Sequence, residues 1–462
     1  MYPKNYRPVS LLPIISKILE RAVYQQVVDY FERNNLFHPS HHGFRSKHNT
    51  STALLQMHDV WIEAFDKGDI SAVVMLDMSA AFDLVDHGLL LNKMKIYGFN
   101  DGALSWMESY LNLRKQKVYI DGCLSEALDV DLGVPQGSIL GPLLYIIFTN
   151  DLPECVHGHL ADNESYFNTH CNGCGGICCF ADDSSFTLSS NQPEQLARDI
   201  SEKYEDIAEY MGQNKLVLNS DKTHVMVMAS SHKHKKYKNF GINLDTGTEL
   251  IEPVDHEKLL GGHISNNFKW NNHIRENEKS MFKNLTCKLN ALYKFSKIAN
   301  FKTRKMVASG LITSTLNYLI QLYGGCSGYL VQILQVLQNR AARCVTKLGW
   351  HTETSVLLSQ CGWLSIKQMI IFQSLVLLFK IQQEKKPKYL YEKINSRFSF
   401  RSSDETKIRD KRSFKTDTAK KGFITRTIND WNNLPRHLRE IPNLKQFKFK
   451  LKSWVKDNIP IK

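Results

Sequence analysis

Cys179-Phe180-Ala181-Asp182-Asp183-Ser184-Ser185-Phe186-Thr187-Leu188 sets two adjacent carboxylates between two short apolar runs. Runs of that length, meeting at a turn-prone acidic pair, are the signature of a β-hairpin. A second apolar run, Ala72-Val73-Val74-Met75-Leu76, has the pattern of a buried strand and also ends on an acid, Asp77. Far apart in the chain, these acids would meet if their strands were neighbours in one sheet. Carboxylates that converge without a nearby Lys or Arg repel each other unless divalent cations lie between them. Mg²⁺ takes one or two carboxylates together with water and phosphate oxygens. Two such ions clamp the attacking and leaving oxygens of an in-line phosphoryl transfer. The competing reading is that Asp-Asp marks a turn for backbone reasons alone.

Outward from these strands the chain alternates between helix and strand patterns. Segment 6–36 predicts a helix after a Pro-rich opening, with Ile15, Leu19, Val23, Val27 and Phe31 at i+4 spacing. Pro39–Thr50 is a polar, His-rich loop, and a second helix follows from about Thr52 to Lys67. Ser79 is placed to cap a short helix through Phe82. Segment 89–112 predicts a helix, and 116–132 a strand pair turned at Asp121-Gly122. Gly133-Val134-Pro135-Gln136-Gly137-Ser138 is a loop opening an apolar helix to about Asn150. Pro193–Met211 is amphipathic, and Leu216–Met228 is a strand region. Beyond about 270 the period becomes helical, and Leu330, Leu334, Leu337, Ala341 and Cys344 form one stripe. A mixed α/β half therefore precedes an α-rich half.

Composition narrows the class. The 462 residues, 42% hydrophobic and 23% charged, can bury a sizeable core, which argues against wholesale disorder. The longest apolar stretches, Leu143–Phe148 and Met369–Phe379, are too short for a membrane span, and no signal region follows Met1. The expectation is a soluble protein of nucleus or cytoplasm, with Lys233–Lys238, Lys411-Arg412 and Lys420-Lys421 the only suggestion of nuclear import. Most of the net charge of +13 sits at one end, because residues 397–462 hold 18 basic and 7 acidic side chains. A basic tail with interleaved aromatics, Phe447-Lys448-Phe449-Lys450-Leu451-Lys452-Ser453-Trp454, fits nucleic-acid backbone binding, and a solvated helical face is the alternative. Ten cysteines do not form a secreted disulfide framework. Cys171, Cys174 and Cys178 have half the spacing of a zinc site, completed only if His157, His159 or His170 joins; buried or incidental thiols are the simpler reading.

The ordered series of motifs resembles the reverse transcriptase of jockey-like non-LTR retrotransposons. Asn5-Tyr6-Arg7-Pro8-Val9-Ser10-Leu11-Leu12 with Lys17-Ile18-Leu19-Glu20 is similar to that family's opening block. Gly43-Phe44-Arg45 resembles its fingers block, and Leu76-Asp77-Met78-Ser79-Ala80-Ala81-Phe82-Asp83 its first catalytic motif. Gly133–Pro142, Phe180-Ala181-Asp182-Asp183 and Asn219-Ser220-Asp221-Lys222-Thr223 follow in the family's order. Leu259-Leu260-Gly261-Gly262 with Trp270 and His273 resembles its primer grip, and Leu337–Arg343 and Trp431–Pro435 its downstream blocks.

The resemblance implies an α+β right-hand polymerase, with fingers and palm in residues 1–265, a helical thumb and connector in 266–390, and a basic helical region in 391–462. It implies an RNA-directed DNA polymerase that extends a DNA primer with dNTPs on an RNA template, using two Mg²⁺ ions, with Mn²⁺ a possible substitute. Asp77, Asp182 and Asp183 would hold the metals. Phe82 would be the steric gate against a ribose 2′-OH, Arg45 would pair with the triphosphate, and Gln136 and Gly137 would lie along the nucleotide. Lys222 would protonate the leaving pyrophosphate. His41 or His42 stands where the family usually has Gln, Lys47-His48 departs from its pattern, and residues 151–180 make a longer spacer. Because the opening block begins at Asn5, the expectation is an N-terminally truncated frame without an endonuclease domain. A non-catalytic RNA-binding remnant is the alternative function. An unrelated two-metal nuclease or cyclase explains the acids but not the Pro-Gln-Gly loop.

Overall fold

A computed structural model describes residues 9–157, 174–230, 232–234, 243–247, 249–401, 404–410 and 414–461. The chain divides into two compact units. One comprises Met1–Asn49, Ala72–Val225 and Phe240–Pro253, the other Thr50–Ser71, Met226–Asn239 and Val254–Lys462.

The first unit holds most of a four-stranded sheet. Its strands are β1 (Ile70–Leu76), β2 (Cys174–Phe180), β3 (Asp183–Ser190) and β4 (His224–Met228), in spatial order β2-β3-β1-β4. β1 is central and buried along its whole length, which is why its sequence is continuously apolar rather than alternating. β2 and β3 form the expected antiparallel hairpin, with Phe180 opposite Asp183 and Ala181-Asp182 as its two-residue tip. Helix α1 (Ile14–Arg33) precedes the sheet, and α3 (His87–Ile96), α4 (Asp101–Leu111), α5 (Gly141–Phe148) and α6 (Pro193–Gln213) belong to the same unit; α2 (Thr50–Lys67), expected with the fingers, falls in the second unit. α5 is apolar and buried on every side, as a central core helix must be. The predicted helix over 89–112 is two helices, broken at Gly98-Phe99-Asn100, where Gly98 has φ +89° and Asn100 caps α4. The strand pair at 116–132 is present, turning at Asp121-Gly122 with both φ values positive, the type I′ geometry.

Two local expectations are corrected. Residues 79–83 form turns rather than a short helix, because Ala80 adopts φ +49°. In α1, Val27 and Phe31 are buried as the stripe requires, but Ile15 and Leu19 are 81% and 53% exposed while Glu20 is 1% exposed. The cause is polar. The Glu20 carboxylate accepts the N–H groups of Ile139 (2.6 Å) and Leu140 (3.3 Å) and the Ser16 hydroxyl (3.0 Å), so the first half of α1 turns its acid inward.

The second unit is mainly helical: α2, then α7 (Met281–Ser296), α8 (Phe301–Ala308), α9 (Gly328–Thr346), α10 (Thr354–Cys361), α11 (Ile366–Glu384), α12 (Phe423–Asn432) and α13 (Leu444–Asn458). Leu330, Leu334, Leu337 and Ala341 of the α9 stripe are buried, and Cys344 at its end is half-buried. Buried amides fix the next junction: Gln338 donates to the Leu364 carbonyl (2.9 Å), and Gln335 accepts the Ile366 N–H (2.9 Å). α11 opens with a capping box, Ser365 with Gln368, and stacks Phe379 on Phe447 of α13 at 4.3 Å. The region after 391, expected to be helical, contains the hairpin Phe398–Arg401 with Asp404–Asp410. Phe398-Ser399-Phe400 alternates with period 2, a strand signal that the surrounding positive charge masks. Among the described residues no single helix is long and apolar enough to cross a membrane. α10 with α11 would pass only as a pair bent by 45°, and α11 packs against α12 and α13.

Candidate active site

Asp77 follows the last residue of β1, and Asp182 sits at the tip of the β2–β3 hairpin. One buried phenol ties these points together. Tyr145 of α5 donates to the Met78 sulfur at 3.1 Å, next to Asp77, and its hydroxyl lies in the field of the Asp182 carboxylate. Burial, then Asp182, holds this phenol well above its ordinary pKa, so it stays protonated and remains a donor. The end of β1 and the hairpin tip therefore lie at one end of the sheet. Asp183, the first residue of β3, is exposed.

The turn after Leu218 hangs on Asp77 directly. Asn219 donates its N–H to the Asp77 carbonyl (2.9 Å), Ser79 donates to the Val217 carbonyl (3.0 Å), and Met78 bridges Leu218. The following helical turn, Ser220–Lys222, brings the Lys222 ammonium to 3.6 Å from the Asp77 carboxylate. The lysine side chain is 68% exposed and the carboxylate 36%, so the pair is solvated and contributes little to stability.

Phe82 packs its ring on Tyr145, centroids 4.7 Å apart at 33°. The 133–138 loop folds back on the same turn: Val134 donates to the Phe82 carbonyl and Gly133 to that of Val85, both at 2.8 Å. Gly133 has φ +83°, and a Cβ there would stand 2.7 Å from the Asp83 carbonyl oxygen, so only glycine fits. The Gln136 amide donates to both Asp83 carboxylate oxygens at 2.9 Å, and its carbonyl accepts the Ser10 N–H at 2.8 Å. Gly137 lies against the Ser10 backbone.

Arg45 is held differently. Its guanidinium donates to the carbonyls of His38 (3.0 Å) and His41 (3.1 Å), pairs with Glu32 at 3.6 Å and lies over the Phe37 ring at 4.9 Å. Burial pulls its pKa down, with Glu32 opposing. The Arg45 Nε is buried without a hydrogen-bond partner among the described residues. The loop carrying it adds to the sheet edge: His42 donates to the Cys179 carbonyl (2.8 Å), and Cys179 donates to that of Ser40 (2.9 Å). His41 is fully buried, donates Nε2–H to the Thr149 carbonyl at 2.9 Å, and is pushed down to about 4 by burial.

Two positions carry more of this geometry than their sequence suggested. A Cβ on Gly43 would come 2.5 Å from the Ala181 nitrogen, so the fingers block rests backbone to backbone on the acidic tip. Glu20 seats the N-terminus of α5, which carries Tyr145. A buried carboxylate has no pattern of its own in a sequence, but a glycine beside Phe-Arg in a polar loop was a usable signal for close approach.

The donor set suits a hard divalent cation: carboxylate oxygens at rigid strand ends, with a solvated lysine the cation beside Asp77. Among the described residues no three His, Cys, Asp or Glu side chains form a metal cage, so water and substrate phosphates would have to complete the shell. Of the cysteine cluster, Cys171, His159 and His170 lie outside the described residues, as do Asn5–Pro8, Lys235–Lys238 and Lys411-Arg412. Cys178 and Cys179 are buried thiols, and burial pushes Cys179 up to about 12. The expected primer grip lies in the second unit as the strand pair His256–Leu259 with Gly262–Ser265, its turn held by Tyr318 donating to the Leu260 carbonyl (2.6 Å).

Residues 2–244 match the family described as reverse transcriptase (RNA-dependent DNA polymerase). The chain is 26% identical over 355 residues to the probable RNA-directed DNA polymerase from transposon BS of Drosophila melanogaster, covering 77% of this chain and 38% of that protein. It is 27% identical over 352 residues to the RNA-directed DNA polymerase from mobile element jockey of Drosophila funebris, covering 76% and 36%. The chain thus spans little more than a third of the length of these relatives. Among solved structures, apo telomerase from Candida tropicalis aligns with a TM-score of 0.41 at 10% identity, over 82% of this chain and 61% of that one.

Proposed function

The chain belongs to the reverse transcriptase family, and on that premise we propose that it is an RNA-directed DNA polymerase of retrotransposon origin with its reaction centre at Asp77 and Asp182. The observation that supports this reading most is Tyr145, whose hydroxyl bonds the sulfur next to Asp77 and lies in the field of Asp182, with the solvated Lys222 beside Asp77. Asp77 and Asp182, with Asp183 beside them, would hold two Mg²⁺ or Mn²⁺ ions. When bound, such ions lower the barrier of an in-line attack by a primer 3′-OH on the α-phosphate of a dNTP.

The chain's own groups supply position and proton control. Tyr145 stays protonated beside Asp182 and fixes Met78, so the acids keep their spacing while a nucleotide enters. Phe82, backed by Tyr145, presents a ring under the sugar, where a 2′-OH would collide. Gln136, held by Asp83, keeps the 133–138 loop closed against the same turn. Lys222, beside Asp77, is placed to donate a proton to the leaving pyrophosphate. The helical second unit is the part assigned to hold primer and template.

Purified protein should extend a DNA primer on an RNA template with dNTPs and Mg²⁺ or Mn²⁺, and Asp182→Ala should not. Extension that persists in the variant would remove Asp182 from the reaction. A folded wild-type protein that never extends would remove the polymerase reading itself.

A further inference from the structure

α13 is amphipathic in an uneven way. Phe447, Leu451 and Val455 are buried, Phe447 stacked on Phe379 of α11. Lys445, Phe449, Lys452 and Lys456 follow at i, i+4, i+7 and i+11, which puts them together on the opposite face. All four are exposed, Phe449 by 80%. A neighbouring helix adds charge to this face instead of neutralising it. Lys452 donates to the Gly362 carbonyl at 3.2 Å, and the Lys305 ammonium of α8 comes within 3.6 Å of the Cβ position of that same glycine. Burial, then Lys456 and Lys305, pulls the Lys452 pKa down. No ion pair joins Lys305, Lys445, Lys452 or Lys456 to a carboxylate among the described residues.

An isolated helix face built for solubility would intersperse acids among its lysines and would not carry a bare phenylalanine at its centre. Ammonium groups gathered around an exposed ring are the pattern of a single-stranded nucleic-acid platform, in which cations follow the phosphates and the ring stacks under an unpaired base. We propose that this face of α13, with Lys305, binds single-stranded RNA through its phosphate backbone, Phe449 stacking on one base. The inference rests on the polymerase reading only for the nature of the strand, and binding here needs neither metal nor catalytic carboxylates.

The test is fluorescence anisotropy of the full chain with a labelled single-stranded RNA of mixed sequence, followed across salt concentrations in EDTA. Replacing Lys445, Lys452 and Lys456 together by Gln should make the slope of log K against log salt shallower by about 2. Phe449→Ala should weaken binding about tenfold at every salt, with the slope unchanged and duplex DNA little affected. These residues are exposed, so circular dichroism and thermal melting should match wild type. An unchanged slope and affinity in the triple variant would overturn the proposal, as would an equal loss for single strand and duplex in Phe449→Ala. Lysine-dependent binding by a chain that does not extend primers would keep this surface and reject the polymerase reading; extension with lysine-independent binding would do the reverse.

Discussion

Two motif blocks meet at the tip of the β2–β3 hairpin, and the fold treats them in opposite ways. The acids Asp77 and Asp182 stand at strand ends, partly solvated, with Lys222 at 3.6 Å from Asp77. Arg45, in the loop laid against the same tip, is bonded to two carbonyls, paired with Glu32 and stacked on Phe37. Both belong to recognisable motifs, but the first set stands partly solvated while the guanidinium is largely buried against protein partners. A charged group whose bonds are already made within the protein stabilises the fold. One that the fold leaves half-satisfied is poised to bind.

That contrast predicts which substitutions separate activity from stability. Asp77→Ala should lower primer extension by about 10³-fold while the melting temperature stays equal, since the solvated pair with Lys222 contributes little to stability. A parallel loss of thermal stability would make Asp77 a structural residue and erase the distinction.

Acid should act on the other side. His41, with an ordinary pKa of 6.5, is held near 4 in the fold. The unfolded chain takes up a proton there that the folded chain refuses, so stability is full above pH 6.5 and falls as pH drops toward 4. The single group can contribute up to ~3 kcal/mol over that window. Denaturant unfolding of His41→Gln at pH 7 and pH 5 should show a smaller loss than wild type. An equal loss would mean that His58 and His273, buried in the second unit and also held near 4, carry the whole acid response.

Gly43→Ala lies between the two blocks. Its Cβ would press on the Ala181 backbone, so the hairpin tip or the loop must move. A shift of the order of 1 Å at the acids should cost extension about a hundredfold. Stability should fall by about 1–3 kcal/mol. Single-turnover extension and thermal melting measure the two halves, and wild-type extension in this variant would show that the tip is not seated by the fingers loop.

Local patterns made the hairpin, the central strand and the 133–138 loop legible, because each depends on neighbours within a few residues. What was not legible depended on distant partners. Leu19 and Glu20 exchange the inside and outside that periodicity assigns them, since only folding brings the Ile139 and Leu140 N–H groups within reach of Glu20. Ala80 adopts a left-handed backbone that its sequence does not demand. The motif around Arg45 records which residue is present, not that its guanidinium bonds the His38 and His41 carbonyls and pairs with Glu32. In the second unit periodicity revealed the helices, but the Phe398–Arg401 strand lay inside a basic stretch whose charge dominated its reading.

The claim that the strand-end acids form one divalent-cation site can be tested without turnover. Mn²⁺ titrated calorimetrically into the full chain, bound to a primer–template lacking a 3′-OH and with dNTP present, should give specific binding. That binding should disappear in both Asp77→Ala and Asp182→Ala and remain in Arg45→Ala. Mn²⁺ binding of wild-type affinity and stoichiometry in the two aspartate variants would contradict the account.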